Sequence, residues 1–164
     1  MDMVETNDIQ ITMMTIIKTA KQPTGNTCGP TCLFMAYNAL FGEKLSILEI
    51  ADLCTTDWLV GTPPDKMILG MNSIGLTYIH HQAPEKPYTL LTEILDKQNI
   101  PIVRTITNGI PHWIIVSNHT NKGSWHIKCP SIGDFIYTTE QLDNVWKQRN
   151  YELFEIENEN RKRY

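Results

Sequence analysis

A thiol and a glutamine amide stand close together in the first fifth of the chain. The stretch from Gln22 to Met35 reads QPTGNTCGPTCLFM, and the glutamine lies six residues before Cys28. An apolar, helix-like run follows, which predicts the thiol at a helix start, where free N–H groups and the helix dipole stabilise a thiolate. The pattern suits a cysteine nucleophile. It suits a buried structural cysteine equally well, because free cysteines are among the most buried residues.

A candidate base lies much further along the chain. Residues 111–130 read PHWIIVSNHTNKGSWHIKCP and predict a hairpin with its turn between Asn118 and Gly123. If these two positions pair, His112 lies directly opposite Cys129, because paired positions in an antiparallel ladder sum to a constant. A histidine titrates near neutral pH and can take the proton of a cysteine nucleophile, so His112 is the candidate base.

Cysteine and histidine also bind zinc, which is the competing use of these residue types. Cys28 and Cys32 are spaced to share one helix face, but no paired CxxC or HxxxH accompanies them. We therefore expect no metal and no cofactor. Packing or surface roles are expected for the remaining histidines, which are His80, His81, His119 and His126.

The elements that must position these groups divide the chain into two unlike halves. Helical spacing dominates the first half, whereas short antiparallel strands dominate the second, which predicts an α+β fold. After the helix that begins near Cys28, helices are predicted over 46–54, 65–74, 88–97 and 138–147. Strands are predicted over 9–17, 76–80, 102–106, 112–117, 125–129, 135–137 and 151–156.

Composition narrows the class of protein. The chain has 164 residues, 41% of them hydrophobic, and a net charge of −4, which suits one globular domain and argues against nucleic-acid binding. We predict a single domain over 1–157 and a charged tail over 158–164. The first eight residues carry three acidic and no basic side chains, unlike a secretory signal, and no run is long enough to cross a membrane. We expect a cytoplasmic protein with reduced cysteines.

The Gln22-to-Cys-Gly spacing with its CGPTCLFM continuation resembles the bacteriocin-leader (double-glycine) peptidases of the papain-like superfamily. Further segments resemble the same family over roughly residues 12–150. These are SILEIADLCTT, GTPPDKMILGMNSIGL, the strand pair IPIVRTITNGIPHWIIV and the closing helix TTEQLDNVW. The resemblance implies a papain-like fold, with an N-terminal helical half packed on a C-terminal antiparallel sheet.

The resemblance also implies roles for individual residues. Cys28 would be the nucleophile, His112 the base, and the Gln22 amide would stabilise the oxyanion with the backbone N–H of Cys28. The family has an aspartate before a proline where this chain has Cys129. Three alternatives follow: Asp134 substitutes as third member, a Cys–His dyad suffices, or the domain binds a peptide without turnover.

The implied activity is cleavage of a peptide or amide bond through an acyl-enzyme, although the same machinery could deamidate or transfer an acyl group. The expected partner is a peptide or protein substrate, with no nucleic acid and no membrane. Many relatives are fused to a transporter, whereas this sequence shows no membrane segment. We therefore expect a free-standing enzyme or a module acting in trans. The sequence carries no signal of oligomeric state.

Overall fold

The computed structural model describes residues 16–159. Within that range lie helices α1 (Cys28–Phe41), α2 (Ile47–Leu53), α3 (Pro64–Ile74), α4 (Pro87–Asp96) and α5 (Thr139–Trp146), and a 3-10 helix over Lys147–Arg149. The strands are β1 (Tyr78–His81), β2 (Ile100–Thr107), β3 (Ile110–His119), β4 (Ser124–Cys129), β5 (Gly133–Thr138) and β6 (Leu153–Ile156). The predicted α+β class is confirmed, and these strands and helices α2–α5 differ from their predicted bounds by at most two residues. The strand predicted over 9–17 lies almost wholly outside the described residues.

Local signals fix the ends of the first helices. Ser46 and Glu49 form a capping box at the start of α2, where the serine hydroxyl accepts from the Glu49 N–H and the carboxylate accepts from the Ser46 N–H. Helix α3 has a proline in its first turn and ends at Gly75, whose φ of 78° is left-handed. These features explain why the sequence predicts both helices well.

A six-stranded antiparallel sheet, in the order β1-β6-β2-β3-β4-β5, carries an apolar core on each face. Strand β3 shows how alternation serves both cores: Trp113 and Ile115 pack with α1–α3, whereas Ile114 and Val116 pack with α4 and α5. The N-terminal helices α1–α3 thus cover one face of the sheet. Helix α1 begins beside a cleft that residues of β2 and β3 also line.

The predicted register of the β3–β4 hairpin is wrong. Ile115 pairs with Lys128, and a bulge between Val116 and Asn118 shifts the ladder before the turn. The turn lies over residues 120–123, where the Gly123 N–H donates to the Thr120 carbonyl. His112 is therefore not directly opposite Cys129 but is its diagonal neighbour on the same face, still close enough for side-chain contact.

Candidate active site

Cys28 is the first residue of α1, and only 7% of it is exposed. The residue before it, Thr27, does not cap the helix: its hydroxyl donates to the Thr24 carbonyl, 3.0 Å away. The first N–H groups of α1 thus have no side-chain cap, and the positive end of the helix dipole lies at the thiol. The thiol therefore lies at a helix start, as the sequence predicts.

Gly29 keeps the head of α1 against its neighbours. A Cβ at this position would lie 2.8 Å from the Met67 sulfur, 3.1 Å from Thr62 Cβ and 3.2 Å from Trp113 Cδ1. The Trp113 indole N–H in turn donates to the Thr62 carbonyl at 2.8 Å. The Cys-Gly pair thus has a packing reason, since only a residue without a Cβ lets the thiol approach β3 this closely.

The imidazole of His112 lies near both candidate thiols. Its Nε2 lies 3.2 Å from the sulfur of Cys129, and Cys28 lines the same cleft as the ring. Burial lowers the pKa of His112, but the hydrogen bonds with Cys129 and Cys28 and the negative charge on those sulfurs outweigh it and raise the pKa to about 9. The structure therefore brings together the two residues that the sequence proposes as nucleophile and base.

Cys129 occupies the position where the resemblance predicts an aspartate, and its surroundings favour a thiolate. Burial raises the pKa of Cys129. Hydrogen bonds from His112, from the Ser131 hydroxyl and from the backbone N–H groups of Ser131 and Ile132 outweigh burial and lower this pKa to about 7. A thiolate accepts a hydrogen bond and stabilises an imidazolium, as a carboxylate does. Near neutral pH this cysteine is thus a better orienting group than an ordinary thiol.

Gln22 is anchored beside Cys129 through the backbone. Its N–H donates to the carbonyl of Pro130 at 2.8 Å. The side-chain Nε2 donates to the Thr24 carbonyl at 2.7 Å, and the buried Oε1 has no hydrogen-bond partner among residues 16–159. One amide hydrogen is thus engaged within the loop before α1.

Asp134 is the other sequence candidate for the third position. It lies on β5 opposite Lys128, and its carboxylate accepts from Lys128 at 3.1 Å and from the Thr19 hydroxyl. These bonds hold its pKa below the ordinary value, the Thr19 hydroxyl contributing most. The structure thus engages Asp134 away from His112, whose Nε2 has Cys129 as its partner.

Two cavities meet at His112. A cleft of about 260 Å³ is lined by Cys28, His112, Trp113, the loop 59–63 and the side chains of Arg104 and Arg149. A second cavity of about 200 Å³ is lined by Cys129 and mostly apolar side chains. Sequence reasoning missed both arginines. A charge inside the apolar strand IPIVRTI is a signal for Arg104, whereas nothing around Arg149 sets it apart from a solvated turn.

The remaining cysteines are structural in character. Cys32 is fully buried, and burial, followed by the nearby Cys28 and Cys129, raises its pKa well above the ordinary thiol value. Burial also raises the pKa of Cys54, to about 12. Both stay protonated thiols. Across residues 16–159, no group of three or more His, Cys, Asp and Glu side chains is arranged to hold a metal ion.

Several solved structures that share this fold are peptidase domains of transporters. The peptidase domain of Streptococcus ComA, a bi-functional ABC transporter involved in a quorum sensing pathway, matches with a TM-score of 0.72 and 18% identity, covering 86% of this chain and 98% of that one. A double glycine motif protease from an AMS/PCAT transporter, solved in complex with the leader peptide, matches with a TM-score of 0.69 and 15% identity, covering 87% and 92%. The Streptococcus mutans ComA peptidase domain gives 0.63 and 16%, covering 85% and 98%.

The fold is therefore that of the papain-like double-glycine peptidases. The family model of peptidase C39 matches residues 16–157, so the chain belongs to the peptidase C39 family. No curated protein sequence matches it. None of the helices in the described range is long and apolar enough to cross a membrane.

Proposed function

We propose that this domain is a thiol peptidase that cleaves a peptide bond through Cys28 and His112. The observation that carries the proposal is that the imidazole of His112 and the thiol at the head of α1 line the same cleft. This arrangement pairs a nucleophile with a base and places both where a peptide can reach them.

The steps follow from the placement of the groups. His112 takes the proton of the Cys28 thiol, the sulfur attacks the scissile carbonyl carbon, and the oxyanion accepts hydrogen bonds from the Cys28 N–H and the Gln22 amide. His112 gives its proton to the leaving amine, and the acyl-enzyme thioester forms. A water molecule that loses its proton to His112 then attacks the thioester and releases the acid and the thiol.

Cys129 takes the part of the orienting residue in this proposal. Its sulfur accepts the Nε2 hydrogen of His112, which fixes the ring with its other nitrogen toward Cys28. The C39 family membership and the leader-peptide complex of the AMS/PCAT protease support a peptide substrate with a double-glycine motif.

Alkylation of the native protein with iodoacetamide between about pH 4 and about pH 9, with adducts located by mass spectrometry, tests the catalytic pair. We expect labelling of Cys28 to be fast, lost in Cys28→Ser and slowed in His112→Ala, and to exceed that of Cys129, which is only 2% exposed. Both variants should keep the wild-type circular dichroism. Slow labelling spread over several cysteines and appearing only in alkaline solution would contradict a working Cys–His pair.

A peptide-binding domain without turnover is the second candidate. Two contacts favour it. The Gln22 side-chain amide is already bonded to the Thr24 carbonyl, and the His112 imidazole contacts the thiol of Cys129 where the family has a carboxylate. Binding of a double-glycine leader peptide with no cleavage by wild type, but with cleavage by Cys129→Asp, would establish this candidate.

A further inference from the structure

Two arginine side chains lie in the wall of the Cys28 cleft. Arg104 comes from β2 and Arg149 from the 3-10 helix after α5, and both line the same cavity as Cys28 and His112. Neither has a part in the cleavage steps above. Cationic groups this close to a reacting centre attract negatively charged groups of a bound ligand.

The one carboxylate beside the two arginines is already fully engaged. Glu152, which is 7% exposed, accepts from Arg104 Nη1 at 2.9 Å through one oxygen and contacts His80 Nε2 at 2.6 Å through the other. Arg104 also lies over the Trp113 ring, with its Cζ 6.0 Å from the ring centroid. Arg104 is thus held in place and largely neutralised by its own partners.

Arg149 has no comparable partner. It takes part in no ion pair among the described residues, and its buried Nε has no hydrogen-bond partner there. Burial, and then the charge of Arg104, lower the pKa of Arg149, while Glu152 offsets part of this. The two guanidinium groups thus lie near a single carboxylate, that of Glu152, which pairs with Arg104. The positive charge of Arg149 is left uncompensated in the cleft wall.

We propose that Arg149, backed by Arg104, forms a carboxylate-binding subsite of the Cys28 cleft. Its ligand is an acidic side chain of the bound peptide or the C-terminal carboxylate of that peptide. This inference deepens the proposed function and rests on it. A guanidinium binds a carboxylate through parallel N–H donors, so the subsite would fix the position of the peptide relative to the thiol as well as add affinity.

Two alkylating reagents with the same chemistry and different charge test the subsite without a known substrate. Iodoacetate and iodoacetamide both form a thioether at Cys28 as the C–I bond breaks and iodide leaves, but only iodoacetate is an anion. We expect the ratio of their rates at Cys28 to fall roughly fivefold in Arg149→Gln, as for the loss of one solvent-contacting ion pair. The ratio cancels any change in the reactivity of the thiol itself.

Lys147→Gln is the matched control, because Lys147 lies exposed on the same 3-10 helix and outside the cleft lining. It removes the same charge and should leave the ratio unchanged. An equal fall in both variants would show that net charge, and not a subsite, attracts the anion. An unchanged ratio in Arg149→Gln would overturn the proposal, even where fast labelling of Cys28 upholds the peptidase.

Peptides bound to Cys28→Ala separate the two sources of the carboxylate. Three capped probes suffice for NMR titration: an amidated Gly-Gly-Glu peptide, its Gly-Gly-Gln analogue, and that analogue with a free C terminus. Tighter binding of the first or of the third, lost in Arg149→Gln, identifies a side-chain or a terminal carboxylate. Equal binding of all three would overturn the proposal, and this arm needs no reactive thiol.

Discussion

The imidazole of His112 and the thiol of Cys129 meet diagonally across β3 and β4, with Nε2 3.2 Å from Sγ. Because the pKa of His112 is raised to about 9 and that of Cys129 is lowered to about 7, the pair is an imidazolium and a thiolate between these pH values. His112 favours the folded state fully below its ordinary pKa and loses this effect as pH rises through 9. Cys129 favours it fully above its ordinary pKa and loses this effect as pH falls through 7.

The titration of His112 should depend on Cys129. In an NMR titration we expect the ring of His112 to change charge near pH 9 in wild type and at a lower pH in Cys129→Ala, because the variant removes the first of the interactions that raise the pKa. A His112 curve that does not move would show that the thiol does not stabilise the imidazolium.

Replacing Cys129 with aspartate should raise the rate of cleavage or of Cys28 alkylation. The two thiols share one imidazole in wild type, and an imidazole that has taken the proton of Cys129 cannot also take the proton of Cys28. A carboxylate is ionised above about pH 4, so near neutral pH it gives His112 no proton and stabilises the imidazolium that forms when Cys28 ionises. We expect roughly a tenfold gain at neutral pH, which corresponds to about 1.4 kcal/mol of added stabilisation of the thiolate–imidazolium pair.

Two variants are the controls for that experiment. Cys129→Ala removes the orienting group and should be slower than wild type, whereas Asp134→Asn should match wild type because Asp134 is engaged by Thr19 and Lys128. A rate that drops in Asp134→Asn and stays constant in Cys129→Asp would assign the third position to Asp134.

Loss of the Gln22 amide should lower turnover by roughly 10²-fold in Gln22→Ala, as expected for one oxyanion donor. The effect should fall on kcat, because the oxyanion exists only after attack by Cys28. Lys21→Ala, which trims an exposed neighbour in the same loop, is the control. If kcat in Gln22→Ala equals the wild-type value, the amide serves only its bond to the Thr24 carbonyl.

Gly29→Ala should destabilise the protein by about 1–3 kcal/mol, the usual cost of overpacking a dense contact. The added Cβ meets Met67, Thr62 and Trp113, and the last two cannot move without breaking the bond between the indole and the Thr62 carbonyl. Gly25→Ala in the preceding loop is matched to it, since a Cβ there meets nothing within 4 Å. Urea unfolding followed by circular dichroism compares the two variants, and equal midpoints would contradict the packing argument.

The sequence predicts those parts of the fold that local chemistry determines. Ser46 with Glu49 and the left-handed Gly75 fix helix ends within a few residues of themselves, so their patterns can be read directly. The β3–β4 register was misread because a bulge near Ser117 and a turn that starts at Thr120 both depend on how the two strands twist together. One extra residue in a ladder changes which side chains are opposite one another.

The candidate site divides in the same way. Cys28 and His112 belong to patterns in the chain, and the structure brings their side chains together. Arg149 follows no pattern: it enters the cleft only because the 3-10 helix packs beside β2 and leaves it near Arg104. Charge compensation among Arg104, Arg149 and Glu152 is a property of the folded protein and has no counterpart in residue spacing.

The hydrogen bond from the Gln22 N–H to the Pro130 carbonyl joins the segment before α1 to the end of β4. Closing so long a loop is entropically costly, so contacts of this kind form late in folding, after the sheet has given them an anchor. The backbone N–H of Gln22 consequently reports complete folding: its hydrogen exchange should slow only when the last strands have docked. In a nascent chain whose β4 has not yet been synthesised, Cys28 would lack the sheet that positions it. Its reactivity would then develop only after the whole sheet has formed.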